Sequence, residues 1–93
     1  MSRRVSAPKI LTRRSQRQSE DLMARRDLVD EAMDRYVEWR EECLTVDAAY
    51  GKWSEAPSDD HVLSFAAYRA ALDREESAAK VYGTVLERLE RLL

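Results

Sequence analysis

The sequence predicts an all-α protein, a long antiparallel two-helix hairpin with coiled-coil character. Three observations lead there. Apolar residues recur at steps of three and four along two stretches of similar length, acidic residues fill much of the remaining circumference, and one strong break, Ser54-Glu55-Ala56-Pro57-Ser58-Asp59-Asp60, separates the stretches. A loop this short makes the helices antiparallel neighbours, and heptad spacing implies a shallow crossing with knobs-into-holes packing. The expected layout is a basic arm over 1–18, a helix over 19–54, a turn at 55–57 and a helix over 58–93.

The arm comes first. Arg3, Arg4, Lys9, Arg13, Arg14 and Arg17 give the first nineteen residues a charge of +6 with no acid among them. The other ten basic residues stand against all eighteen acids, so the body carries −8 within a total of −2. Polar, arginine-rich and poor in apolar side chains, the arm cannot bury enough surface to offset the entropy of ordering, and is expected to be disordered when free. Such an asymmetry points to an anionic contact, whether nucleic acid, a lipid surface or the acidic body of another copy. Arginine outnumbers lysine and asparagine is absent, a bias that suits GC-rich coding and a bacterial source.

The first helix is expected to start at Ser15, which has capping-box spacing to Gln18, or at Ser19, whose hydroxyl precedes Glu20 and Asp21; Ser19 is preferred because the apolar periodicity begins just after it, at Leu22. Its apolar seam reads Val29, Ala32, Tyr36, Trp39, Cys43, Val46, Tyr50 and Trp53, with Leu22 and Arg25 continuing it backwards. After Pro57, Ser58 caps a second helix with two first-turn acids. Its seam reads Phe65, Tyr68, Leu72, Glu75, Ala79, Tyr82, Leu86, Leu89 and Leu93. Folding about Pro57 places Trp53 near His61, Tyr50 near Phe65, Val46 near Tyr68 and Cys43 near Leu72. Further along, Trp39 meets Glu75, Tyr36 meets Ala79 and Val29 meets Leu86. At the Trp39–Glu75 level a carboxylate can accept the indole N–H, with Arg40 in reach to share it.

Two helices leave apolar surface over. The second helix carries a further strip, Ala71, Ala78, Val85 and Leu92, with Val81 beside it, and the first leaves Leu28, Met33, Val37 and Leu44 off its seam. A contiguous exposed patch of this kind marks an interaction surface, so the hairpin is expected to pair with another copy as a four-helix bundle or with a partner's helices. A core this small also calls for reinforcement, and the single cysteine, Cys43, rules out a disulfide within one chain. Gly83, inside the second helix, costs about 1 kcal/mol relative to alanine, and is read as the close approach of another helix, room for a ring such as Tyr36, or simple tolerance of a weak position.

Catalytic chemistry finds little support. His61 with Asp59 and Asp60 is the best metal-ligand cluster, yet acids are favoured in a helix's first turn without any metal. Cys43 falls on the apolar seam with no histidine at its level, and the pairs Glu41–Glu42 and Glu75–Glu76 diverge on a helix, as adjacent residues do. Glycine-rich phosphate loops and zinc-finger spacings are absent from the sequence. No cofactor is implied, and an enzymatic reading would fall on Cys43, His61 and Glu75. In size and hairpin form the chain resembles the small secreted helical-hairpin proteins with a Trp-x-Gly turn. Gly51-Lys52-Trp53 reverses that motif, and Leu86 stands four residues after Tyr82 where that family has an acid, so no membership follows.

The expected function is therefore that of a non-enzymatic interaction protein, homo-oligomeric or docked on a protein partner through an apolar helical face. A small nucleic-acid-associated regulator using the arginine arm is the alternative. No segment reads as a signal peptide or membrane span, and the chain is expected to be soluble and cytoplasmic.

Overall fold

The computed structural model describes residues 6–93, with side chains from Arg14 onward. It is an all-α hairpin about 90 Å long and 15 × 14 Å across. Helix α1 spans Ser6–Glu55, Ser58–Asp60 form one 3₁₀ turn, and helix α2 spans His61–Leu92.

The start of α1 differs from expectation: the helix begins at Ser6, so much of the presumed arm is helical. Ser19 is an interior, exposed position. The physical reason is that a capping pattern permits a helix to start without forcing it to, while arginine and glutamine propagate a helix well. Pro8 lies in the first turn, where the N–H it lacks would have no partner in any case. Because α2 ends at Leu92, the stretch of α1 from Ser6 to about Asp21 runs past it as an overhang of roughly 24 Å at 1.5 Å per residue.

The break falls at Ala56–Pro57. Pro57 is extended (φ −62°, ψ 161°) and its carbonyl accepts the Asp60 N–H at 3.0 Å. Ser58 makes no side-chain capping bond, contrary to expectation; the 3₁₀ turn satisfies the backbone instead, with Asp59 and Asp60 supplying first-turn charge.

The register of the hairpin agrees with the sequence reading. Trp39 Nε1–H donates to Glu75 Oε1 at 3.3 Å, and the Trp53 ring lies 5.6 Å from the His61 ring. Two levels are offset by a turn: Tyr50 packs on Tyr68 (5.6 Å between centroids) and Phe65 on Trp53 (5.1 Å), and Tyr36 packs on Tyr82 (5.6 Å).

The rotation of each helix about its axis is where the structure departs. One column of each expected seam is correct: Ala32, Trp39, Val46 and Trp53 on α1, and Tyr68, Glu75, Tyr82 and Leu89 on α2, are buried or half-buried. The other column of contact lies one residue earlier than expected. On α2 it is Ala71, Ala78, Val85 and Leu92, with Ala71 at 0 % exposure and Val85 at 3 %. On α1 it is Leu28, Arg35, Glu42 and Ala49, all half-buried. The strip expected to be left open is thus the inside of the hairpin. Alanines at Ala32, Ala49, Ala71 and Ala78 let the backbones approach closely, and larger rings would hold them apart.

Candidate interaction face

With the seam so turned, the residues expected to complete it form one long edge of the hairpin. Leu22, Val29, Tyr36, Cys43 and Tyr50 come from α1, and Phe65, Leu72, Ala79, Leu86 and Leu93 from α2. All are apolar or aromatic, because each belongs to a seven-residue repeat that places it beside the contact column. Tyr36 remains 44 % exposed, Tyr50 52 % and Leu72 36 %; Cys43, Ala79 and Leu86 are half-buried. This is a continuous apolar face that the chain itself does not cover.

Rings order the face. Tyr36 sits edge-on to Trp39 and Tyr82, with centroids 5.9 and 5.6 Å away, and Trp39 stacks on Tyr82 at 5.9 Å. Near the turn, Trp53 stacks on Tyr68 at 5.4 Å. Such pairs contribute about 0.5–1.5 kcal/mol each beyond their buried area. Arg40 does not share the Glu75 carboxylate; its guanidinium stands 5.9 Å from the centroid of the Trp39 ring.

The opposite edge is ionic. Glu31 pairs with Arg88 at 3.8 Å and Glu42 with Arg74 at 3.5 Å, both across the helices. Glu42 Oε2 and Arg35 Nε are buried without hydrogen bonds, the cost of placing charged residues in the inner column. Arg35 offsets this by donating to Glu38 at 3.0 Å, and that bond, with the nearby acids, raises the pKa of its guanidinium further. A depression of about 480 Å³ on this edge near the turn is lined by Ala48, Leu63, Ala67 and Ala71 together with Thr45, Lys52, Asp60 and Ser64, and no hydrogen bond or ion pair joins these polar groups to one another.

The expected interface residues are dispersed. Ala71 and Val85 are inside the hairpin, and Ala78, Leu92 and Leu28 are half-buried in the same column. Val81 lies on the ionic edge. Met33 stands on the shoulder of the apolar face, while Val37 and Leu44 lie on the back of α1, where they remain exposed singly. Of the residues expected to contact anions, Arg14 and Arg17 are exposed on the overhang. Lys9 and Arg13 fall within α1 but their side chains lie outside the description, and Arg3 and Arg4 lie outside the described residues.

Among the described residues no three His, Cys, Asp or Glu side chains are placed to hold a metal ion, and His61 packs on Trp53. No described helix is long and apolar enough to cross a membrane. No protein-family model, curated protein or solved structure matches the chain.

Proposed function

We propose that the chain is a non-enzymatic helical interaction protein that docks through the apolar edge running from Leu22 and Leu93 to Tyr50 and Phe65. The supporting observation is the continuity of that edge: successive residues from both helices are apolar over the paired length, and Val29, Tyr36, Tyr50, Phe65 and Leu72 among them stay a third to a half exposed. Faces of this extent on a soluble helix pair mark sites of association. A helical partner suits it, because a groove between two helices accepts the ridge of a third. Leu72→Glu puts a charge within the edge, one level from its turn end, without entering the seam. Light scattering and pull-downs should show that this variant loses an association that the native chain makes. A native chain that stays monomeric at micromolar concentration and retains no protein would overturn the reading.

A second reading rests on the overhang. Arg14 and Arg17 project from a stretch of α1 with no α2 beside it and no acid before Glu20, an arrangement suited to phosphate contact. Deleting residues 1–18 should abolish nucleic-acid binding and its salt dependence while leaving hairpin helicity in place. Unchanged binding by the truncated chain would remove this reading.

A further inference from the structure

The residues four positions beyond each edge residue form the two shoulders of the apolar face, and they are charged in a pattern. On α1 the shoulder carries Arg26, Arg40 and Asp47; on α2 it carries Arg69, Glu76 and Glu90. The observed Trp39–Glu75 contact sets which residues share a height along the hairpin. One residue further on each helix are Arg40 and Glu76, about 3 Å apart in height at 1.5 Å per residue. Seven-residue steps in opposite senses then pair Arg26 with Glu90 and Asp47 with Arg69. Every charged level is of opposite sign. At the remaining level Met33, 63 % exposed, stands opposite Gly83, where an added Cβ would meet nothing within 4 Å. Tyr36 therefore does not explain the glycine; nothing in the chain crowds it.

These pairs are not made within the chain. The shoulders flank the face on opposite sides, and none of the ion pairs among the described residues joins them; Glu76 instead contacts Lys80 at 3.4 Å on its own helix. A matching that is level by level yet unused within the chain needs α1 of one molecule to lie over α2 of another at the same height. A two-fold axis along the hairpin does this: it exchanges the shoulders and preserves height.

We propose that the apolar edge is covered by a second copy of this chain, with both turns at one end and α1 of each copy over α2 of the other. This rests on the reading of the edge as a docking face and names its occupant. Each charged pair then occurs twice, and each Met33 fills the gap above the partner copy's Gly83. The opposite arrangement, with the turns at opposite ends, would set Arg26 against Asp47 and Arg69 against Glu90 but leave Arg40 and Glu76 facing uncharged residues. It satisfies fewer levels.

The test is a mixing experiment by analytical ultracentrifugation. Arg40→Glu and Glu76→Arg, made separately, should each weaken the homodimer by roughly tenfold or more, since two exposed pairs of about 0.5–1 kcal/mol are reversed in each. Mixing the two variants should restore dimerisation, because each face then meets its opposite. An interaction within one chain could not be rescued by mixing. Failure of the mixture to recover overturns the arrangement, as does rescue by mixing Arg26→Glu with Asp47→Arg instead. A native chain that is monomeric throughout overturns the second copy as occupant. Binding of a hydrophobic dye by that monomer, lost in Leu72→Glu, would separately keep the docking face; no dye binding would sink both.

Discussion

The two edges of this hairpin share one seam and have opposite chemistry. On one side the contact column is flanked by Tyr36, Cys43, Leu72 and Leu86, and on the other by Glu31, Arg74 and Arg88, with Arg74 reaching Glu42 of the column itself. The ionic edge is closed within the chain: Glu31 pairs with Arg88 and Glu42 with Arg74 across the helices, although Glu42 Oε2 is itself buried without a hydrogen bond. The apolar edge is incomplete, because its rings and aliphatic groups pack sideways on one another and leave one surface wet. A helix pair must commit one apolar column to its partner; a column beyond that is surface for something else. Which column is inside and which outside is therefore the point most worth breaking.

The largest expected effect comes from exchanging charge between inside and edge. Val85→Asp buries a carboxylate against α1 and should destabilise the hairpin by about 3 kcal/mol or more. A core of this size supplies only roughly 3–5 kcal/mol, so helicity should be largely lost at room temperature. Leu72→Asp alters a neighbouring column and should leave the low-concentration circular-dichroism melt nearly unchanged, its cost appearing only as protein concentration rises. Equal losses in the two variants at all concentrations would mean that the seam and edge have been interchanged.

That interchange is the error the sequence invites. On α2 three adjacent columns are apolar but for Glu75, through Tyr68 and Leu89, Ala71 and Val85, and Leu72 and Leu86, while a helical partner buries only part of that width. On α1 the true inner column contains Arg35 and Glu42, so hydropathy favours the column through Tyr36 and Cys43. Close packing decides otherwise, since alanines allow a shorter distance between backbones. Hydropathy has no access to that distance. The register, by contrast, was readable, because Pro57 fixes the fold point and the heptads count outward from it; the Trp39–Glu75 bond follows directly. The helix start was not, since Ser15 and Ser19 carry capping patterns that the chain passes through. The shoulder charges were visible as residues, but their pairing appears only once the columns are placed.

Intermediate effects belong to the level where seam and edge meet. Trp39→Phe keeps the ring stack on Tyr82 and removes the donor to Glu75 Oε1, leaving a half-buried carboxylate without that bond. The expected loss is about 1 kcal/mol, read as a shift in urea midpoint with unchanged slope. Gly83→Ala should act in the other direction on an isolated hairpin, adding up to roughly 1 kcal/mol through helix propensity, as open space surrounds the position. Gly83→Leu should weaken self-association by blocking Met33 of the other copy, and a dimer that tolerates leucine there would discount the packing part of the proposed arrangement.

The smallest effect is expected on the ionic edge. Glu31 and Arg88 stand 3.8 Å apart with side chains 38 % and 53 % exposed, so screening and side-chain entropy offset most of their attraction. A double-mutant cycle of Glu31→Ala and Arg88→Ala should give a coupling below about 0.5 kcal/mol that declines further as salt is added. The value tests the asymmetry from its quiet side. A coupling several times larger, persisting in high salt, would make this edge a clasp that holds the hairpin shut, and the apolar edge could then be a bystander of the fold. A near-zero coupling leaves the helix pair held by its inner column, with the ionic edge serving to keep that side in water while the other side stays open to the proposed partner.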